Sequence, residues 1–239
     1  MISAKNQYNV RCEWGLEGLK LLVPISDVVI IVDVLSFSTS VDIACSNGAK
    51  VYPCKWKDEK ALEYALSKDA ILAKPRSKTE LSLSPYSLEN ILSGTNIVLP
   101  SPNGSSLSLA TGDVLTICGC LRNYRSVAEY ANRHGERISV IPAGEKWPDG
   151  SIRFALEDIF GAGAILSRLK GNLSPEAELA VNIYHSLHNK ETDTLLNCIS
   201  GIELVEKGYE VDVYLAADIN VSECVPVLKD QAYISAVSS

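Results

Sequence analysis

The sequence predicts an α/β fold in which a mixed, largely parallel sheet is flanked by helices, with a C-terminal helical layer. Two observations predict this class. Short β-branched runs alternate with helical patterns up to Gly171, and beyond Gly171 two helical patterns follow each other without a strand between them. Because no stretch rich in Pro, Gly and Ser interrupts the 239 residues, we expect a single domain over residues 1–239.

Short apolar runs are predicted to form the strands of the sheet. Each run is continuously apolar rather than alternating, which is typical of strands covered on both faces. The runs span residues 28–34, 50–54, 70–73, 96–100, 114–119 and 137–144.

Helical patterns fill the segments between these runs and span residues 38–45, 57–67, 123–133 and 154–169. Three of the patterns end at a glycine, which favours helix termination. These glycines are Gly48, Gly135 and Gly171.

The C-terminal part changes character. Helices are predicted over residues 174–187, where Pro175 suits the first turn, and over residues 194–209. Residues 225–237 are predicted to return to the sheet as strands.

The balance of charge excludes two classes of partner. The chain has 29 acidic and 22 basic side chains, a net charge of −7 and an isoelectric point near 5.1. Nucleic acid and anionic membranes require a basic face, so neither partner is expected. Residues 1–15 lack the pattern of a signal peptide, and the longest apolar run, Val28 to Val32, is too short to span a membrane. These features predict a cytoplasmic protein.

The seven cysteines lie mostly within apolar segments, and their number is odd. This placement is typical of reduced core residues rather than of a disulfide framework. Cys118 and Cys120 are separated by one residue, whereas zinc and redox pairs use two, so both are predicted to pack in the core.

The first candidate for a site lies at the end of the run 28–34. Ligands of open α/β sheets bind at the carboxyl ends of the strands, and here Asp33 is followed by Ser38, Thr39 and Ser40 at a helix start. A carboxylate at this position can hold Mg²⁺, while hydroxyls and helix-terminal amides can bind phosphate oxygens. The alternative is that Ser38 only caps the helix.

A second candidate follows the run 96–100. Asn103, Gly104, Ser105 and Ser106 form a small, polar segment whose amides can turn toward an oxyanion. The same Asn-Gly pair is equally compatible with a plain turn.

Further carboxylates complete the candidate set. Glu145 follows the run 137–144, Glu157 and Asp158 lie at the start of a helix, and Asp218 lies in a loop. Because neighbours on a helix point in different directions, one of Glu157 and Asp158 is expected to face the site, although carboxylates in a first turn also favour the helix dipole. Asp218 can be a ligand or part of a local turn.

Several known chemistries lack their sequence signature. The chain has no G-x-x-x-x-G-K-[ST], G-x-G-x-x-G, G-x-S-x-G or H-E-x-x-H motif. His185 and His188 share a polar helical segment, where a solvated face is favoured over a metal site. Carboxylates with hydroxyl and amide donors remain, and this set suits metal-assisted handling of a phosphate ester.

The ordered set of these segments resembles the 2-phosphosulfolactate phosphatase family. The resemblance is carried by residues 30–41, 99–107, 142–165 and 200–228, and it covers most of the chain. It implies a magnesium-dependent phosphatase that acts on phosphate esters of 2-hydroxycarboxylic acids, with an α/β fold.

Family positions carry over residue by residue. Asp33 matches the family's strand-end Asp, and the acidic pair Glu157-Asp158 matches as well. The resemblance also covers the hydroxyl run, the polar loop, the Ala-Gly pair and three C-terminal positions, and these are Ser38, Thr39, Ser40, Asn103, Gly104, Ser105, Ala143, Gly144, Gly201, Asp212 and Asp218.

Three departures bear on the substrate. Ser36 and Ser106 stand where family members typically carry Arg, and a Gly-Glu-Arg stretch appears here as Lys74-Pro75-Arg76. Because Ser lacks the charge and reach of Arg, the substrate is expected to differ from phosphosulfolactate. Arg76 and Arg153 are candidates for compensation.

These observations predict a Mg²⁺-dependent phosphatase acting on a small phosphorylated acid. Asp33, Glu145 and Asp218 are the candidate metal ligands, and Asp33, Glu157 and Asp158 are the candidate catalytic residues. The candidate phosphate-binding residues are Ser38, Thr39, Ser40, Arg76, Asn103, Gly104, Ser105 and Ser106. The alternative is a catalytically inactive homologue that binds an anionic metabolite. By analogy with the family, a homodimer is expected.

Overall fold

A computed structural model describes residues 7–56 and 58–236. The strands are β1 (Val10–Cys12), β2 (Val28–Val32), β3 (Lys50–Cys54), β4 (Ile71–Leu72), β5 (Asn96–Pro100), β6 (Leu115–Gly119), β7 (Ile138–Pro142), β8 (Glu145–Lys146), β9 (Ile152–Arg153), β10 (Pro226–Lys229) and β11 (Ala232–Ser235). Every predicted run contains a strand. Val237, the last residue predicted to be extended, lies outside the described residues.

The helices are α1 (Gly15–Leu22), α2 (Phe37–Ser46), α3 (Glu59–Ser67), α4 (Gly104–Ser108), α5 (Tyr124–His134), α6 (Leu156–Leu166), α7 (Pro175–Leu187), α8 (Glu191–Asn197), α9 (Ile199–Glu206) and α10 (Glu210–Ala217). Short 3₁₀ helices span Val23–Ile25 and Pro85–Leu88. Lys57, predicted to open α3, lies outside the described residues, and Asp58 caps this helix by accepting a hydrogen bond from the amide of Lys60.

The prediction of one helix over residues 194–209 is wrong. Cys198 has extended backbone angles, φ −72° and ψ 158°, and it separates α8 from α9. Its thiol accepts a hydrogen bond from the amide of Gly201 at 3.3 Å, so the cysteine caps the second helix. Sequence patterns also missed β1, α1, α4 and α10.

Nine strands form one sheet in the order β1-β7-β2-β6-β10-β11-β3-β5-β4. β1, β7, β2 and β6 are mutually parallel, and so are β3, β5 and β4. The hairpin β10–β11 lies between these two groups and pairs with both in the antiparallel direction. The mixed, largely parallel sheet predicted from the sequence is therefore confirmed.

The nine-stranded sheet is not flat. Three successive antiparallel pairings separate β6 from β3, so a flat sheet would place the carboxyl ends of β2 and β5 at opposite edges. Instead, the amide of Gly104, shortly after β5, lies 2.8 Å from the carboxylate of Asp33, directly after β2. The hairpin joins the two parallel groups and pairs with its neighbours through Val227 with Ile117 and Tyr233 with Val51.

Strand β2 shows why its sequence is continuously apolar. Val28, Ile30 and Val32 pack into a core cluster with α5, α6 and α7. Val29 and Ile31 point to the other face and pack against α1. Both faces of the strand are covered, so each side chain is removed from water and contributes about 1.5–3 kcal/mol of transfer free energy. Asp33 is thereby fixed at the end of a rigid, central strand.

The C-terminal helical layer is present as predicted. Helix α7 packs closely on α6 at Gly163, where an added Cβ would lie 2.1 Å from the carbonyl oxygen of Ala180. Helices α8, α9 and α10 pack on one another, and α10 also contacts the 3₁₀ helix Pro85–Leu88. None of the helices in the described part of the chain has the length and apolar character of a membrane span.

Candidate active site

The centre of the site is the carboxylate of Asp33, which is buried at the end of β2. It accepts hydrogen bonds from the amide of Gly104 at 2.8 Å and, more weakly, from the amide of Phe37 at 3.4 Å. The Ser101 hydroxyl lies 3.5 Å from the same carboxylate. Burial and the charges of Glu145 and Glu157 raise the pKa of Asp33 to about 7 in spite of these donors.

Gly104 is required for this arrangement. An added Cβ would lie 2.2 Å from the ring of Phe37 and 2.8 Å from a carboxylate oxygen of Asp33. A side chain at this position would displace the carboxylate or the ring. Gly104 was predicted to bind phosphate, and in the structure its amide is directed at Asp33.

Glu145 is held beside Asp33 by the neighbouring residue. The side-chain amide of Asn103 donates a hydrogen bond to the Glu145 carboxylate at 3.0 Å, and the next residue, Gly104, binds Asp33. Burial raises the pKa of Glu145, and the nearby charge of Glu157 raises it further. The loop after β5 thus brings together two carboxylates that come from different strands.

Glu157 and Asp158 occupy the first turn of α6, and both are buried. Asp158 accepts hydrogen bonds from the amides of Val34 at 2.8 Å and Gly144 at 2.9 Å, so it ties the segment after β2 to the segment after β7. Burial, together with the charges of Asp33 and Glu157, raises the pKa of Asp158. Because each of its oxygens already accepts a backbone amide, Asp158 is placed to hold the site together.

Glu157 faces a different partner. The thiol of Cys198 lies against it, and burial, the charge of Glu157 and a hydrogen bond to Glu157 raise the Cys198 pKa to about 12. The sequence pattern predicts Cys198 only as part of a helix over residues 194–209, because a lone cysteine carries no signal of this contact.

Arg76 lies beside Ser36, a position at which family members typically carry Arg. Its guanidinium donates a hydrogen bond to the hydroxyl of Ser36 at 3.2 Å and forms an ion pair with Asp212 at 2.5 Å. Asp212 also accepts hydrogen bonds from the Ser84 hydroxyl and the Tyr86 amide. Arg76 is therefore a firmly positioned cation next to the segment that follows Asp33.

Arg153 is a second arginine near the carboxylates, and unlike Arg76 it is buried. It pairs across the β8–β9 hairpin with Glu145, and its charge acts to lower the pKa of that carboxyl. Its guanidinium donates to the Ser200 hydroxyl at 3.3 Å and lies over the ring of Trp147. The C-terminal helical layer thus contributes Ser200 and Cys198 to the surroundings of the site.

The predicted hydroxyl ligands are engaged with the chain itself. Ser38, Thr39 and Ser40 are fully buried. The hydroxyl of Ser38 accepts from the amide of Asp33, and those of Thr39 and Ser40 donate to the carbonyls of Val34 and Leu83. Helix α2 begins at Phe37, so Ser38 is not its cap.

The loop after β5 shows the same behaviour. The hydroxyl of Ser105 donates to the Leu99 carbonyl at 3.0 Å, and that of Ser106 donates to the Pro102 carbonyl at 2.7 Å. These hydroxyls fix the local backbone from which Asn103 and Gly104 donate to the carboxylates. Their role in binding phosphate stays a prediction.

We call Asp33, Glu145, Glu157 and Asp158 the Asp33 cluster. Asp218 lies apart from this cluster. Its carboxylate is about half exposed and pairs with Arg122 at 3.3 Å, and Arg122 also pairs with the buried Asp42. Sequence alone gave no means of separating this loop carboxylate from the others, because the pairing arginine lies about a hundred residues earlier in the chain.

The donor set determines which ions could bind. In the described ranges, no group of three or more His, Cys, Asp or Glu side chains is arranged to hold a metal ion alone. Asp33 and Glu145 form a carboxylate pair with excess negative charge, which suits a hard cation that takes one or two protein carboxylates and completes its shell with water and substrate oxygens.

Comparison with known proteins extends these observations. The family model described as 2-phosphosulpholactate phosphatase matches residues 19–231. The chain belongs to this family. The resemblance drawn from the sequence motifs is thus confirmed.

Several relatives carry the name of this family. A probable 2-phosphosulfolactate phosphatase of Carboxydothermus hydrogenoformans is 30% identical over 209 residues, which is 83% of this chain and 84% of the relative. The Thermotoga maritima protein of that description is 31% identical over 216 residues, 86% of this chain and 90% of the relative. The 2-phosphosulfolactate phosphatase of Methanothermobacter thermautotrophicus is 30% identical over 210 residues, 86% of this chain and 88% of the relative. These names describe phosphoric monoester hydrolases.

Proposed function

We propose that this chain is a Mg²⁺-dependent phosphatase that hydrolyses a phosphate monoester of a small 2-hydroxycarboxylic acid. The observation that carries the proposal is the pairing of the buried Asp33 with the half-buried Glu145, which are held by the consecutive residues Asn103 and Gly104. Neighbouring like charges, one of them buried, are costly to the fold unless a cation joins them. Family membership supports the same chemistry.

Asp33 and Glu145 would hold the Mg²⁺ ion. When bound, such an ion neutralises charge on the phosphoryl oxygens and activates water at neutral pH. The weak pairing of Asp33 with protein donors, apart from the Gly104 amide, leaves oxygen lone pairs available. Asp218, the third ligand predicted from sequence, is assigned no part in this proposal because it pairs with Arg122.

Glu157 is the residue we assign to proton transfer. It lies close enough to Asp33 and Glu145 for its charge to act on both carboxyl groups. As the general base it would accept the proton of the attacking water, a role typically worth a factor of about 10² to 10⁴ in rate. Asp158 positions the strand ends, and Arg153 adds a buried positive charge beside Glu145.

The test is phosphate release from a panel of phosphorylated 2-hydroxy acids, measured with excess Mg²⁺ or with EDTA. We expect release that requires Mg²⁺ and that falls at least about 100-fold in Asp33→Asn. Asp218→Asn is the matched control, because it makes the same change outside the cluster, and it should retain release. Equal activity with EDTA, or unchanged turnover in Asp33→Asn, contradicts the proposal.

The alternative function is binding without hydrolysis. It is favoured by Ser36 and Ser106 at the family's arginine positions and by the hydroxyls that the fold itself uses. A rise in melting temperature with phosphorylated acids, without phosphate release from any of them, would support this alternative. The homodimer and the cytoplasmic location stay predictions.

A further inference from the structure

A cavity of about 510 Å³ lies near the end of β5. It is bounded by α3, by the segment that follows β4 and by the end of β5. Seven of its nine lining residues are apolar, and the other two are Lys74 and Arg76. This volume is within the range of about 300–1,000 Å³ that is usual for small-molecule sites.

Two of the lining residues, Arg76 and Pro100, connect the cavity to the surroundings of Asp33. Arg76 lines the cavity and donates to Ser36, three residues after Asp33. Pro100 lines it as well, and the next residue, Ser101, places its hydroxyl 3.5 Å from the Asp33 carboxylate. The cavity is therefore adjacent to the proposed point of phosphate cleavage.

The charged residues that line the cavity are two, and both are positive. Arg76 is paired with Asp212, whereas Lys74 is exposed at the cavity wall. The remaining surface is formed by side chains such as Leu62, Leu72 and Leu83. A ligand that fits carries an apolar group for this surface and an acid group for the cationic wall.

We propose that this cavity binds the organic part of the substrate, which is a 2-hydroxy acid with an apolar side chain esterified to phosphate. The inference rests on the proposed function, since the phosphate must then lie at Asp33. A substrate that carries a strongly acidic group in place of this apolar side chain would fit less well, because most of the cavity surface offers such a group no polar partner.

The first arm of the test compares the phosphate esters of phenyllactate and lactate. We expect a kcat/KM at least about tenfold higher for the phenyllactate ester, since apolar groups in a fitting pocket discriminate by about this factor per small substituent. Leu62→Glu places a charge in the cavity wall and should remove most of this advantage. Leu66→Glu is the control, because Leu66 lies one turn further along α3, is more exposed and is not among the lining residues.

The second arm separates this inference from the proposed function. Benzylphosphonate and methylphosphonate, which cannot release phosphate, are titrated by calorimetry into the wild type and both variants. Tighter binding of the benzyl compound, lost in Leu62→Glu and kept in Leu66→Glu, supports the apolar site even if no ester is hydrolysed. Equal binding of the two compounds, or equal loss in both variants, overturns it, and hydrolysis of the lactate ester without a preference for the phenyllactate ester overturns it while the phosphatase stands.

Discussion

Two groups of buried carboxylates lie within this molecule and are stabilised in opposite ways. Asp42 accepts hydrogen bonds from Arg122 at 3.1 Å and Ser222 at 2.7 Å, which act against the effect of burial on its pKa. Asp33 is surrounded instead by Glu145 and Glu157, whose charges add to the effect of burial. The first group is neutralised by the protein, whereas the second retains excess negative charge.

The difference shows which carboxylates serve the fold. A buried charge with its own arginine contributes to the packing of α2 against the loop before β10, and it needs no ligand. A group of like charges is retained against its cost to stability when something outside the chain compensates it. The contrast can be tested by changing one member of each group at a time.

The largest effect is expected at Glu157. Glu157→Gln should lower kcat by a factor of about 10² to 10⁴, because the amide cannot accept the proton of water. The folded variant should still bind the phosphorylated acid. Steady-state kinetics and calorimetric binding measure the two quantities. Glu203→Gln, an exposed change on α9, should leave both intact, and a Glu157→Gln enzyme with full kcat would assign the base elsewhere.

Arg122 should matter most for stability. Arg122→Met leaves Asp42 buried without its cation, so the free energy of unfolding should fall by about 3–5 kcal/mol. Arg137→Met removes an ion pair with Asp27 whose arginine is about half exposed, and its effect should stay below about 1 kcal/mol. Urea denaturation gives both values, and equal losses in the two variants would show that the Asp42 pair is not special.

The pH dependence of stability should change when Asp42 is replaced. Burial raises the Asp42 pKa from 3.8 to about 6, so between these values the folded chain keeps a proton that the unfolded chain has released. The stability contributed by this group is therefore highest at low pH and falls as pH rises through the window, by on the order of 3 kcal/mol.

Asp42→Asn should remove this part of the slope. Denaturation at a series of pH values from about 4 to 7 gives the difference between the variant and the wild type. Asp193→Asn, an exposed change on α8, serves as the control. Parallel curves for the wild type and Asp42→Asn would show that Asp42 does not titrate in this window.

Glu145 should give the smallest change in stability, and with the opposite sign. Glu145→Gln removes a charge that repels Asp33, so the metal-free protein should gain about 1 kcal/mol at neutral pH. The same change should weaken Mg²⁺ binding about tenfold or more, measured by calorimetry. Glu89→Gln, an exposed change, should alter neither quantity, and a Glu145→Gln protein that loses stability would mean that Asn103, not charge, dominates at this position.

The sequence predicted the parts of the fold that depend on local patterns. The apolar run at β2 and the proline-led helix α7 are confirmed because buried strands and capped helices leave periodic signals. The order of the strands carries no such signal. The insertion of β10–β11 between β6 and β3 is decided by packing of residues far apart in the chain.

The sequence indicated which residue types form the site, but it did not indicate which partner each side chain contacts. Asp33, Glu145 and Glu157 come together because each follows or faces a strand end. Asp218 has the same chemistry, yet Arg122 binds it elsewhere. The hydroxyl of Thr39 donates to a backbone carbonyl of the same chain. This contact depends on the direction of the side chain within a helix turn, which the spacing of residues in the sequence does not predict.

The position of the β10–β11 hairpin also bears on how the chain acquires its structure during synthesis. Residues 226–235 are translated after both parallel groups, and they form the contacts between β6 and β3. Until they emerge from the ribosome, the facing edges of β6 and β3 lack these strand partners, and the two parallel groups are not yet joined through the hairpin. High contact order of this kind slows folding, so the pairing of Asp33 with Gly104 is expected among the last steps of maturation.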